Sequence, residues 1–264
     1  MENTYWHRQT KDKPLFPDLL WSRPENRAHA GKLVIAGGNS YGFAAPAEAF
    51  AAAGKAGIGT TRVLLPDSLH KTLKTFEAGE YAPSTPSGSF SQRALAEMLE
   101  LGNWADGVLL AGDFGRNSET AILLENFVQK YNNQLTITKD ALDYFTRTPL
   151  LVLDRPETTL VLSFAQLQKI ASSAHFPKAF TFDMDLIRLV EVLHEFTTDH
   201  SSNIIVKHLD TILVASNGQI STTKISKDKK IWRVATAASA SVWWLQNPEK
   251  PFEALTTSLV AQQS

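Results

Sequence analysis

Residues 31–66, reading GKLVIAGGNSYGFAAPAEAFAAAGKAGIGTTRVLLP, constrain the fold of this chain more than any other stretch. The segment begins with an apolar run, residues 32–36, closed by two glycines, as expected for a strand that is buried on both faces. Alanine-rich residues 47–56 then predict a helix, and the β-prone residues 60–65 follow it directly. Together these elements predict a right-handed βαβ unit with parallel strands.

Two glycine-containing turns follow apolar runs that we predict to be buried strands. Gly37-Gly38 closes the first strand, and Gly112-Asp113-Phe114-Gly115 closes the run at residues 107–111. Open α/β sheets bind their ligands at the carboxyl ends of their strands, so the two turns predict a ligand crevice between them. Asp113 could act there as a general base, or it could cap the helix that follows.

The remaining pattern predicts one α/β domain over residues 31–264, preceded by an extended arm of residues 1–30 that is held by aromatic side chains. Strand-like runs continue at residues 135–138, 150–153 and 159–162. In the last third, three β-prone runs are joined by short turns, one of them Asn217-Gly218, which predicts antiparallel pairing.

Composition restricts the class of partner. The formal net charge is -1 and charged residues make up 20% of the chain, which argues against a nucleic-acid or membrane partner and favours a small molecule. The chain contains no cysteine, which fits a reducing compartment. With no apolar run of membrane-spanning length and no signal-peptide pattern, we expect a cytoplasmic protein. The histidines show no i, i+4 pair on a helix, so no metal site is predicted.

One motif suggests a serine hydrolase. Gly38-Asn39-Ser40-Tyr41-Gly42 matches the G-x-S-x-G pattern between a strand and a helix, which makes Ser40 a candidate nucleophile. Only one strand precedes it, however, and the helix begins late, at Pro46, so a turn serine is the competing interpretation.

Two later segments are candidate anion sites. Lys207 and Thr211 could place a cation and a hydroxyl near a phosphate, or they could belong to an exposed hairpin. Residues 235–241 are small and lie at the predicted head of a late helix, where free N–H groups would attract an anion.

In order and spacing these segments resemble the ADP- or ATP-dependent NAD(P)H-hydrate dehydratases, members of the ribokinase-like superfamily. The resemblance runs from about residue 31 to the C-terminus. It is carried by Gly37-Gly38 with Ala44-Ala45-Pro46, by the strand and turn at residues 106–115, by Lys139-Asp140-Ala141-Leu142, and by residues 207–211.

The resemblance implies a three-layer αβα sandwich with a mostly parallel central sheet and an antiparallel edge in the C-terminal third. It also implies ADP or ATP with Mg²⁺, an NAD(P)H-type ligand, and assembly as a homo-oligomer. The substrate-binding positions it implies are Gly38, Ala45 and Gly115. The nucleotide-binding positions it implies are Lys207, Thr211, Ser239 and Ala240.

The chain departs from the family at the catalytic motif. The family's Gly-Thr-Gly-Asp run corresponds to residues 238–241, which read Ala-Ser-Ala-Ser, so Ser241 stands at the position of the catalytic aspartate. Serine is not a base near neutral pH, and a Cβ disfavours positive φ in an anion-binding loop. The resemblance therefore implies a divergent homologue with lost or altered catalysis that could still bind a nucleotide. The alternative is an active dehydratase in which Asp113 or Asp140 replaces the missing carboxylate.

Overall fold

The computed structural model describes residues 4–73, 76–225 and 232–262. Within these ranges one sheet contains ten strands. They are β1 (Trp6–Gln9), β2 (Lys32–Gly37), β3 (Thr60–Pro66), β4 (Gly79–Ala82), β5 (Gly107–Gly112), β6 (Gln134–Thr138), β7 (Thr158–Leu162), β8 (Asn203–His208), β9 (Thr211–Ser216) and β10 (Gln219–Lys224).

The α-helices connect and cover these strands. They are α1 (Pro17–Trp21), α2 (Ala44–Ala56), α3 (Leu95–Trp104), α4 (Ser118–Lys130), α5 (Leu150–Leu153), α6 (Phe164–Ser173), α7 (Leu186–Asp199), α8 (Arg233–Gln246) and α9 (Pro251–Ala261). A 3₁₀ segment, Lys139–Thr146, follows β6. In the three described ranges, no helix combines the length and the apolarity that crossing a bilayer requires.

The strand order is β1-β10-β9-β8-β7-β6-β5-β2-β3-β4. All neighbouring pairs are parallel except those made by β9, which runs antiparallel to both β8 and β10. The hairpin between β9 and β10 turns at Asn217 and Gly218, whose φ values of 46° and 75° suit a tight two-residue connection. The predicted mostly parallel sheet with an antiparallel C-terminal edge is confirmed.

Helices pack on both faces of the sheet and form the predicted three layers. On one face, α2, α8 and α9 enclose a core that includes Leu109 of β5. On the other, α3, α4, α6 and α7 enclose a core that includes Leu110, the next residue of the same strand. Because successive side chains point to opposite faces, a strand buried on both favours apolar residues along its length, which explains the runs that identified the strands. Buried threonines also occur, as in β6 and β7.

The first thirty residues extend the sheet. β1 pairs in parallel with β10, and α1 packs on the same face as α9. The Gln9 amide nitrogen donates to the Thr223 hydroxyl at 2.8 Å and to the Thr256 carbonyl oxygen at 2.8 Å. The segment predicted as an extended arm thus supplies an edge strand, whose four polar and aromatic residues carry no apolar run to identify it.

One predicted strand is wrong. Residues 150–153 form α5, not a strand. A four-residue apolar run cannot distinguish a strand from a buried helical turn by periodicity. Here Pro149, whose φ is -62° and ψ is -35°, directs the chain into a helical turn.

Candidate functional site

The two glycine turns meet at the point where the sheet topology reverses. The chain continues from β2 to β3 and β4 on one side, whereas β5, β6, β7 and β8 extend the sheet on the other. β2 and β5 are parallel neighbours, and the Gly38 N–H donates to the Gly112 carbonyl oxygen at 3.0 Å. The predicted adjacency of the turns is confirmed, at the position where open α/β sheets place their ligands.

Close backbone approach explains the glycines. A Cβ on Gly37 would lie 2.3 Å from the Gly112 carbonyl oxygen, a distance that no side chain can tolerate. Gly38 has φ +89°, which glycine adopts without the strain that a Cβ would add. These two residues allow β2 and β5 to end side by side.

The Asp113 side chain lies at the N-terminus of α2. One of its carboxylate oxygens accepts the Ala45 N–H at 2.7 Å, and the other accepts from the Lys139 ammonium at 2.7 Å. The Asn39 amide nitrogen donates to the Asp113 carbonyl oxygen at 2.6 Å. Phe43, at the N-cap of α2, offers no side-chain acceptor, so Asp113 supplies the cap from another strand end. Of its two predicted roles, the structure gives Asp113 a capping role, but for α2 rather than for the following helix.

Asp140 holds the second glycine turn. Its carboxylate accepts the Asp113 N–H at 2.7 Å and the Gly115 N–H at 3.1 Å. The Tyr144 hydroxyl donates to the Gly115 carbonyl oxygen at 2.7 Å. Burial raises the pKa of Asp140, although the two N–H donors oppose this shift by stabilising the carboxylate.

The three predicted substrate-binding residues lie together, but the protein itself uses their backbone N–H groups. Gly38 donates to Gly112, Ala45 to Asp113 and Gly115 to Asp140. An anionic ligand at these N–H groups would have to displace an internal carbonyl or carboxylate oxygen.

Lys139 lies in the site and forms an ion pair with Asp113, a role that the sequence did not predict. It lies in the left-handed region with φ +53°, as does its ion-pair partner Asp113 with φ +61°. Each such residue costs about 1 kcal/mol or more, so the surrounding contacts must hold both in place. The Lys139 carbonyl oxygen accepts from the Gln166 amide nitrogen, and Arg233 donates to the Gln166 side-chain oxygen at 3.0 Å. This chain of contacts connects the site to the start of α8.

Residues 235–241, which were predicted to lie at the head of a late helix, belong to α8. α8 begins at Arg233, and the Thr236 N–H already donates to the Trp232 carbonyl oxygen. Ser239 lies six residues into the helix, about 9 Å along its axis. The N–H groups of residues 238–241 therefore belong to the interior of α8, whereas Ala235 lies in its first turn, at the predicted helix head.

Ser241 is buried between α8 and the sheet. Its hydroxyl donates to the Thr136 hydroxyl of β6 at 2.8 Å and approaches the Ala237 carbonyl oxygen at 2.8 Å. The alanines explain why the helix runs through this segment. Ala238 and Ala240 each favour a helix by about 1 kcal/mol relative to glycine. The run of alanine and serine in the sequence is compatible with this helix.

Lys207 and Thr211 flank the short turn between β8 and β9 at the carboxyl edge of the sheet. The Lys207 ammonium makes no hydrogen bond or ion pair with the residues that the structure describes. Thr211 is buried, and its hydroxyl donates to the Asp210 carboxylate at 3.2 Å. Of this predicted pair, Lys207 has the chemistry to meet a phosphate, whereas the Thr211 hydroxyl already has an internal acceptor.

Ser40 lies in the turn before α2 and is exposed. Its hydroxyl donates to the Ser87 carbonyl oxygen at 3.1 Å, an acceptor that cannot remove its proton. We expect a fluorophosphonate probe not to label the wild-type protein or the Ser40→Ala variant, because Ser40 is not activated. Labelling of the wild type that disappears in Ser40→Ala would reinstate the hydrolase hypothesis.

No metal centre is formed by side chains in residues 4–73, 76–225 and 232–262. Within these ranges, no group of three or more histidine, aspartate or glutamate residues could hold a metal ion.

The sheet order, the helix layers and the switch-point site define a ribokinase-like fold. A ribokinase-like superfamily protein from Enterococcus faecalis has the same architecture, with a TM-score of 0.75 and 15% identity over 99% of this chain and 88% of that one. A hypothetical protein from Streptococcus mutans gives a TM-score of 0.67 at 13% identity, covering 90% of this chain and 82% of that one.

The Bacillus subtilis ADP/ATP-dependent NAD(P)H-hydrate dehydratase, co-crystallised with ATP and Mg²⁺, is also similar. Its TM-score is 0.62 at 10% identity, over 93% of this chain and 86% of that one. No protein-family model and no curated protein matches the sequence. The predicted fold and the structural likeness to these dehydratases are confirmed.

Proposed function

We propose that this protein is a divergent homologue of the NAD(P)H-hydrate dehydratases that has lost their reaction and binds a nucleotide or dinucleotide at the carboxyl edge of its sheet. The observation that carries the proposal is the course of α8 through residues 238–241. In the resembled family this segment supplies both the anion hole and the catalytic carboxylate.

Phosphoryl transfer to a substrate hydroxyl needs free donors at the transferred phosphoryl group and a carboxylate near the hydroxyl. The N–H groups of residues 238–241 are inside a helix, and the Ser241 hydroxyl is used by Thr136. The residues present do not fit a transferred phosphoryl group at this position. This mismatch supports the loss of the parent reaction.

Lys207 supports retained nucleotide binding. Its ammonium has no partner in the described parts of the chain and lies on the edge where the fold binds ligands. A phosphate of ADP, ATP, NADH or NADPH would supply the missing counter-charge.

The cluster of Asp113, Lys139 and Asp140 favours a second candidate, an active dehydratase with a relocated base. Asp140 is a buried carboxylate with a raised pKa at the switch point, a property shared by many catalytic acids and bases. Against this candidate, both carboxylates accept hydrogen bonds that hold the turns together.

A coupled assay with hydrated NADH or NADPH, Mg²⁺ and ADP or ATP separates the candidates. We expect no turnover above the uncatalysed rate, because the segment that should supply the base and anion hole is helical. Turnover that is lost in Asp113→Asn or Asp140→Asn, with the fold retained by circular dichroism, would establish the second candidate instead.

Thermal melting tests the binding part of the proposal. At about 100 times Kd, a nucleotide should raise Tm by about 5 °C. Lys207→Ala should lose this shift, whereas Lys130→Ala, a matched change on the exposed side of α4, should retain it. If ADP, ATP, NADH and NADPH all leave Tm unchanged, the binding proposal is wrong.

A further inference from the structure

A groove of about 530 Å³ lies on the outer side of α2 and α8, away from the glycine turns. The methyl groups of alanines and the indole of a buried tryptophan form the apolar part of its lining. The groove is lined by Ala51, Ala52, Ala56, Ala235 and Trp243. A volume of this size accommodates a small organic molecule, and an apolar lining favours an apolar body.

Ser239 points a polar group into this groove. The residue as a whole is only 3% exposed, and it lines the groove, where its hydroxyl can donate to or accept from an atom inside the groove. Ser241, one half-turn further along α8, has two partners for its hydroxyl. A polar ligand atom in the groove could replace water at the Ser239 hydroxyl.

Two cations lie at one end of the groove. The Arg23 guanidinium stacks over the Trp243 indole at 5.0 Å and donates to the Ala56 carbonyl oxygen. The ammonium of the neighbouring Lys55 has no hydrogen-bond or ion-pair partner within the described part of the chain. Glu48 lines the groove two turns earlier on α2, about 10 Å away along the helix. The charged end therefore favours a single anionic group, with the rest of the ligand extending along the alanines.

We propose that this groove binds an amphipathic organic monocarboxylate with a flat apolar body. Its carboxylate would lie between Arg23 and Lys55, its body would cover the alanine methyl groups beside Trp243, and a polar atom would hydrogen-bond to Ser239. The site goes beyond the proposed nucleotide function because it lies on the outside of the helix layer. The Ser239 position, predicted above to contact a nucleotide, would instead serve this second ligand.

Calorimetric titration of the full chain with 2-naphthoate tests the proposal, and neutral 2-naphthamide serves as the matched ligand. We expect the carboxylate to bind about tenfold more tightly than the amide, because only the carboxylate can pair with Lys55 and Arg23. Equal binding of the two ligands, or no binding of 2-naphthoate, would overturn the proposal.

Variants locate the site. Ala51→Trp fills the groove from an exposed position and should weaken 2-naphthoate binding at least about tenfold. Lys55→Glu should have a similar effect, and Ser239→Ala should weaken binding about fivefold. Ala96→Trp and Lys130→Glu, exposed helical positions on the opposite face of the sheet, should bind as the wild type does. Unchanged binding in Ala51→Trp would show that the ligand binds elsewhere.

Two further measurements distinguish other occupants. Competition between ADP and 2-naphthoate would make the groove part of the nucleotide site and so overturn the separate-site proposal. Sedimentation of the wild type and Ala51→Trp detects association between copies of the chain. A dimer that dissociates in Ala51→Trp would show that a second copy covers the groove, also contrary to the proposal.

Discussion

The Ser241→Asp variant is expected to lose about 3 to 5 kcal/mol of stability and to gain no dehydratase activity. The change restores the acidic residue of the resembled family at its position in the sequence. In the structure, however, position 241 lies on the buried side of α8, facing the sheet, and its neighbour is the Thr136 hydroxyl of β6. An unpaired carboxylate there loses its hydration without gaining a cation.

The loss should depend on pH. Burial raises the pKa of the introduced carboxyl above its value in the unfolded chain, so folding favours the protonated form. The deficit relative to wild type should therefore be small below the ordinary carboxyl pKa of about 4 and grow as pH rises through the raised value.

Urea denaturation at several pH values measures this effect, with Ser241→Ala as the control. Ser241→Ala loses the hydrogen bond to Thr136 without adding charge and should cost only about 1 kcal/mol at every pH. An aspartate variant as stable as wild type, or one with substantial turnover in the coupled assay, would show that the segment can still form an active loop.

The Asp140→Ala variant should lose about 3 kcal/mol, because two N–H groups, those of Asp113 and Gly115, lose their shared acceptor. The loss should spread to α2, since Asp113 also caps that helix. Urea denaturation measures the total, and hydrogen exchange of the Ala45 N–H measures the local effect. Asp12→Ala, which removes an exposed carboxylate in the N-terminal arm, is the control and should change stability little.

The raised pKa of Asp140 gives this prediction a pH signature. The folded protein binds a proton on the Asp140 carboxyl more tightly than the unfolded chain does. The stability gained from this protonation is therefore complete below the ordinary carboxyl pKa. It declines as pH rises through the raised value. This decline should be absent from Asp140→Asn, which cannot titrate. An identical pH dependence in wild type and Asp140→Asn would contradict the assignment.

The sequence was sufficient for the central elements of the fold. The apolar runs within β2, β5 and β8 identify buried strands because burial on both faces favours apolar side chains at successive positions. The glycine turns could also be placed, since strands followed by helices in a parallel sheet end on one edge. The antiparallel edge could be predicted from short connections such as Asn217-Gly218.

The short elements could not be predicted from the sequence. Residues 150–153 form a helix because the preceding proline and the surrounding contacts decide between two states that a four-residue apolar run supports equally. β1 is recognisable only from its partner β10, more than two hundred residues away in the chain. Both depend on neighbours that local propensity does not reveal.

The sequence alone predicted that the two glycine turns share an edge of the sheet, and the family resemblance placed Ser241 at the position of an aspartate. Only the tertiary structure decided that Ser241 meets Thr136, that Asp113 caps α2, and that Ser239 lines an outer groove. The physical reason is that a hydrogen bond or a helix end depends on which partner lies across the fold. Local pattern fixes which residues can be buried, whereas packing fixes which atoms they meet.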